Sequence, residues 1–112
     1  ALKPALKKYA KKDVLLFATH ATIKKCKIHG IKKIYIKNLP KLIDDNLDKL
    51  YSLNPILIKY LLKNKYKNIK AIVLGCTHFI YLKNNLNIIL GNNIEFFDNA
   101  KGVAQRVKSL LN

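Results

Sequence analysis

Apolar positions along this chain change period several times, and each change marks an element. Leu2, Leu6 and Tyr9 share one face of a short lysine-rich helix, and Val14-Leu15-Leu16-Phe17-Ala18 is an unbroken apolar run of the kind a buried parallel strand requires. Thr19-His20-Ala21-Thr22 follows as a polar turn. Thr22 is suited to cap a helix running to about His29, where Gly30 closes it, and Lys33-Ile34-Tyr35-Ile36 reads as the next strand.

Pro40 opens a helical stretch in which Leu42, Ile43, Leu47 and Leu50 recur at helical spacing. A second helix begins after Asn54-Pro55, with Ile56, Leu57, Tyr60, Leu61 and Tyr66 on the core side. Ala71-Ile72-Val73-Leu74 is short, rich in strand formers and ends at Gly75. After Thr77 a helix carries Phe79, Leu82, Leu86, Ile89 and Leu90 on one side. Gly91-Asn92-Asn93 turns the chain into a last strand, Ile94-Glu95-Phe96-Phe97, and a final helix from Asn99 to Leu111 places Val103, Val107, Leu110 and Leu111 on one stripe.

Strands alternating with helices predict an α/β fold: a three-layer sandwich with a mostly parallel sheet of about four strands, Rossmann-like or flavodoxin-like, joined by right-handed crossovers. No internal repeat, low-complexity linker or glycine-rich phosphate loop interrupts the pattern.

Composition refines this picture in three respects. With 112 residues, 50% of them hydrophobic and 25% charged, the chain can bury one modest core. No apolar run approaches the ~18 to 20 residues of a membrane span, and Ala1-Leu2-Lys3-Pro4 does not resemble a signal peptide, so a cytoplasmic protein is expected, with no membrane partner. The formal charge of +16 would ordinarily suggest nucleic acid. However, all but one of the 22 basic residues are lysines, Arg106 being the exception, and they are scattered. That distribution describes solvated faces rather than a specific nucleic-acid site, although salt-dependent attraction to polyanions is expected.

Cys26 and Cys76 form neither a CxxC pair nor a disulfide framework and read as free thiols in a reducing compartment. The chain begins at Ala1 and contains no methionine, which leads us to expect a fragment or processed product. A complete chain that had lost its initiator residue would read the same way.

In open parallel sheets, ligands bind beyond the carboxyl ends of the strands. Two turns carry reactive groups there, Thr19 to Thr22 and Gly75-Cys76-Thr77-His78. A cysteine between a buried strand and a helix start meets the positive end of the helix and its unpaired N–H groups, which favours thiolate character and proton transfer. Gly75 relieves the turn of a Cβ, Thr77 offers a hydroxyl and an N–H to an anion, and His78 adds a second proton-exchanging group. The competing reading makes Cys76 a small core filler, Thr77 a cap and His78 a surface residue. On spacing alone, both readings stand.

The run Ala71-Ile-Val-Leu-Gly-Cys-Thr-His-Phe79 resembles the second catalytic motif of the glutamate racemases, within the aspartate/glutamate racemase superfamily. Val14-Leu-Leu-Phe-Ala-Thr-His-Ala-Thr-Ile23 resembles that family's strand and Thr-x-x-Thr turn. Phe97-Asp98-Asn99-Ala100, continuing to Leu111, resembles its closing strand and helix. The resemblance implies interconversion of L- and D-glutamate without cofactor or metal, by two cysteines on opposite faces of the α-carbon, supplying D-glutamate for peptidoglycan. It makes Cys76 the cysteine facing L-glutamate, with His78 supporting the thiol and contacting substrate, Thr77 holding substrate, and Thr19 and Thr22 contacting its carboxylates. A turn hydroxyl and an N-cap are the alternative roles for those two threonines. His78 favours glutamate over aspartate, since the aspartate branch usually has glutamate at that position. His20 and His29 read as turn and surface residues.

Five departures from the family pattern stand out. Ile80 replaces the proline after the motif, Lys25 replaces a serine after the threonine turn, and Leu39-Pro40 replaces a cysteine-proline pair. The acidic residue expected to assist the histidine has no clear counterpart: Asp48 is the nearest candidate, with Asp44 and Asp45 behind it, and all three also suit an exposed helix face. The family's first half, with the other cysteine, is absent, and Cys26 cannot substitute for it.

The resemblance therefore implies residues 1–93 as the second α/β domain of a racemase and 94–112 as a closing strand and helix that return to the missing first domain. The implied partners are glutamate and that N-terminal half, with a homodimer left open. The 112 residues alone are expected to be inactive. The alternatives are an aspartate or other amino-acid racemase of the same superfamily, or a non-catalytic module binding an amino acid or a polyanion.

Overall fold

The computed structural model describes residues 2–62, 66–91 and 93–98. Four parallel strands, β1 (Val14–Phe17), β2 (Lys32–Ile34), β3 (Ala71–Leu74) and β4 (Glu95–Phe97), form one sheet in the order β2-β1-β3-β4. All residues of β1 and β3 are buried, as their continuous apolar runs require of central strands covered on both faces. Val14 is in register with Ala71 and Phe17 with Leu74, while Ala71 to Val73 face Glu95 to Phe97 on the other side. The segment expected from residue 94 onward thus places its strand in this sheet. The helix expected over Asn99 to Leu111, with Val103, Val107, Leu110 and Leu111, lies outside the described residues.

Alternation along the strands divides the core in two. Leu15, Phe17, Ile72 and Leu74 face a layer made by α3 (Leu39–Asp45), α4 (Asn54–Leu61) and α5 (Lys83–Leu90), which contributes Leu39, Ile43, Leu57, Leu61 and Leu86. Phe17 and Phe79 meet there edge to face, 4.8 Å between centroids. Val14, Leu16, Ala71 and Val73 face the other way, toward Ala5 of α1 (Leu2–Lys8) and Ile23 of α2 (His20–Lys25). The three-layer α/β sandwich read from the sequence is the observed fold.

Four helix boundaries differ from the sequence reading. Thr19 rather than Thr22 caps α2: it is extended (φ −72°, ψ 160°), and its hydroxyl oxygen accepts the Thr22 N–H. That helix ends at Lys25 instead of about His29, with Cys26 already extended. The stretch opened by Pro40 stops at Asp45, because the Asn46 side-chain amide donates to the Leu42 carbonyl at 2.7 Å and Asn46 leaves the helical region, so Leu47 is exposed. The segment after Cys76 starts as a 3₁₀ helix, Thr77–Leu82, and becomes α-helical only at Lys83.

Candidate active site

β1 and β3 are neighbours at the centre of the sheet, yet the chain leaves them in opposite directions. From β1 it enters the α1/α2 layer, and from β3 it enters the α3–α5 layer. The crevice between the two departures is the topological switch point where ligands of such sheets bind. The Thr19–Thr22 and Gly75–His78 turns face each other there.

Main-chain contacts bring the two turns together. The Gly75 N–H donates to the Phe17 carbonyl at 2.8 Å, continuing the β1–β3 ladder one step past the strands. A Cβ on Gly75 would lie 2.6 Å from the Ala18 Cβ and 3.4 Å from the Thr22 Cγ2. Glycine is therefore required by the proximity of the neighbouring turn. Across this contact, the Thr19 hydroxyl donates to the Thr22 hydroxyl oxygen at 3.1 Å, while the Thr22 N–H reaches back to the Thr19 oxygen at 3.4 Å. The two threonines thus act as one hydroxyl pair, with Thr19 also serving as the cap.

Cys76 is half-buried and extended (φ −144°, ψ 137°), and its carbonyl accepts the Phe79 N–H at 3.0 Å. Its thiol makes no capping bond to the following N–H groups, contrary to the sequence expectation. Instead Sγ lies 3.8 Å from His78 Nδ1, and His78 Nε2 lies 3.1 Å from Asp44 Oδ2. A carboxylate that accepts from Nε2–H leaves Nδ1 as acceptor for the thiol proton, and the imidazolium formed by its transfer can in turn donate to the thiolate. The His78 and Asp44 side chains are 36% and 57% exposed, so this pair orients the ring more than it stabilises the fold.

Asp44 is the acidic partner that the sequence did not single out. Because α3 ends at Asp45, Asp48 falls in the turn beyond it, and Asp44 is the carboxylate that meets the histidine. Thr77 is exposed at the mouth, and Ile80 lines a cavity of about 70 Å³ with Leu74, Gly75, Cys76, Thr77 and Asp98. Cys26 packs against the α1 side of the sheet and Cys76 against the opposite side. His29 is exposed, and His20 stacks on Tyr35 with centroids 4.8 Å apart. Among the described residues no three His, Cys, Asp or Glu side chains are grouped to hold a metal ion, and no helix is long and apolar enough to cross a membrane.

No family model matches the chain. It is 31% identical over 121 residues to a glutamate racemase of Aliivibrio fischeri, matching 100% of this chain and 45% of that protein. To glutamate racemase 2 of Bacillus subtilis it is 35% identical over 127 residues, with 99% and 46% covered. The crystal structure of Escherichia coli glutamate racemase in complex with L-glutamate and the activator UDP-MurNAc-Ala superimposes with a TM-score of 0.72 at 28% identity, covering 99% of this chain and 46% of that one. The chain spans about half the length of the curated relatives it matches. In both sequence and fold, the chain is similar to about half of a glutamate racemase.

Proposed function

We propose that this chain supplies one face of a glutamate racemase active site, with Cys76 as its proton-transfer group. The observation that carries this reading is the Cys76–His78–Asp44 chain of contacts, set beside the Thr19–Thr22 pair at the switch point of the sheet. In the L-to-D direction the Cys76 thiolate takes the α-proton of L-glutamate, becoming a thiol and leaving the electron pair on the α-carbon. A second thiol, from the complementary half of the enzyme, delivers a proton to the opposite face and becomes a thiolate. The reverse direction exchanges the two roles.

His78, oriented by Asp44, balances the proton on Cys76. Thr77, Thr19 and Thr22 offer hydroxyls to the substrate carboxylates. Charge–hydrogen-bond pairing of this kind fixes which face of the α-carbon meets the thiol. Cys26, on the other side of the sheet, is not the second thiol, so the 112 residues alone do not racemise glutamate. The reaction uses no cofactor or metal, takes place in the cytoplasm, and supplies D-glutamate to peptidoglycan and thereby to cell-wall growth and cell shape.

The test is α-hydrogen exchange in D₂O. The complete enzyme carrying this segment should convert L-glutamate to α-deuterated D-glutamate, and Cys76→Ala should abolish the conversion. Unimpaired turnover by Cys76→Ala would overturn the role of Cys76, and preferential turnover of aspartate would overturn the substrate assignment.

A further inference from the structure

Lysines that look scattered along the chain are sorted by layer in the fold. Residues 2–33, which supply α1, α2, β1 and β2, carry ten lysines and one acid, Asp13. Residues 39–61 and 77–90, which supply the α3–α5 layer, carry four lysines and three acids, Asp44, Asp45 and Asp48. Eight of the ten lysines on the first side are exposed: three on α1, two in the turn before β1, and three at or just beyond the end of α2. Asp13 lies 3.8 Å from Lys70 Nζ, and Glu95 of β4 holds Lys8 at 2.7 Å, which leaves the α1/α2 layer strongly positive.

The same side of the sheet holds an apolar trough. A cavity of about 380 Å³ between α1 and α2 is lined by Leu2, Leu16, Ile28 and Val73, together with the exposed Lys25 and Lys27. A nucleic-acid backbone has nothing apolar to place in such a trough, and the described basic residues include no arginine to fork onto phosphates or bases. Anionic headgroups above hydrocarbon match both parts, the lysines and the trough between them.

We propose that the α1/α2 face is a docking surface for an anionic lipid bilayer, with the lysines meeting headgroups and the trough taking the upper part of an acyl chain. The contact is peripheral and needs no spanning helix. It departs from the sequence expectation of no membrane partner, which rested on the lack of a spanning run.

Vesicle co-sedimentation of the complete enzyme carrying this segment tests it, with about one part phosphatidylglycerol to three parts phosphatidylcholine. Lys7→Glu/Lys24→Glu should weaken binding about tenfold or more, whereas Lys49→Glu/Lys59→Glu, the same change of charge on the other layer, should weaken it less than about threefold. Melting temperature checks that each variant is folded, and Lys7→Gln/Lys24→Gln replaces the reversal if that melts early. Equal losses from the two layers would reduce the effect to net charge and overturn the proposal. So would failure of the parent to bind, undiminished binding to pure phosphatidylcholine, or tighter binding to duplex DNA at the same phosphate concentration. Neither glutamate nor turnover enters this measurement, so the docking face and the racemase reading stand or fall separately.

Discussion

His78 Nε2 and Asp44 Oδ2 meet at 3.1 Å although 34 positions separate them in the chain. The contact spans from α3 to the 3₁₀ segment after β3 and fixes which ring nitrogen faces the thiol. Asp44→Asn in the complete enzyme should therefore lower kcat by about tenfold or more, with a smaller change in KM, because the ring remains but its tautomer is no longer imposed. His78→Asn should cost more. Circular dichroism of the glutamate pool measures both, and a change confined to KM would assign the pair to substrate binding instead.

Gly75→Ala should destabilise the fold by about 1–3 kcal/mol, since its methyl group meets Ala18 from an adjacent strand end rather than the tip of a flexible side chain. Urea denaturation reads the loss. Ala18→Gly in the same chain should recover part of it, and a double variant no more stable than Gly75→Ala would show that the strain lies elsewhere.

Thr19→Val removes the α2 cap and one member of the hydroxyl pair together. The expected cost is about 1 kcal/mol of stability, with weakened glutamate binding by the complete enzyme. Thr19→Ser should restore both, as it keeps the acceptor for the Thr22 N–H. Restored stability without restored binding would show that the Thr19 methyl group, and not the hydroxyl, meets the substrate.

At the β4 edge, Glu95 accepts from Lys8 Nζ at 2.7 Å and from the Tyr9 hydroxyl at 2.8 Å, tying α1 to the sheet. The Lys8 and then the Tyr9 hydrogen bond hold the Glu95 carboxyl below its ordinary value of 4.5, and the Glu95 bond raises both Lys8 and Tyr9. A depressed carboxyl contributes stability that is present above its unfolded value and lost as pH falls through the folded one. The raised lysine and tyrosine contribute stability that is present below their unfolded values, 10.5 and 10.0, and lost as pH rises through the folded ones. Melting temperature should therefore fall slightly at both extremes, and Glu95→Gln should flatten both limbs. Unchanged limbs in that variant would remove the triad from the pH dependence.

The central strands were legible because burial on both faces leaves no polar alternation: Val14–Phe17 and Ala71–Leu74 read as continuous apolar runs and are the two middle strands. The Cys76 turn was legible as the turn at the carboxyl end of β3, since the apolar run stops at Gly75. The α2 cap was not, because Thr19 and Thr22 both qualify by residue type and only the backbone at Thr19 decides between them. Asp44 could not be chosen over Asp48 without knowing that Asn46 ends α3. The ion pair between Lys83 Nζ and Asp98 Oδ2, at 2.8 Å, depends on β4 lying beside β3, a tertiary relation with no local signature.

The close approach of Gly75 to Ala18 also limits how the crevice can move. The β1 and β3 turns already touch through main chain and a methyl group, so they form a one-sided mechanical stop that allows separation but no further compression. A smaller substrate cannot be gripped by squeezing these turns together. Any closure of this crevice must therefore come from a wall other than these two turns.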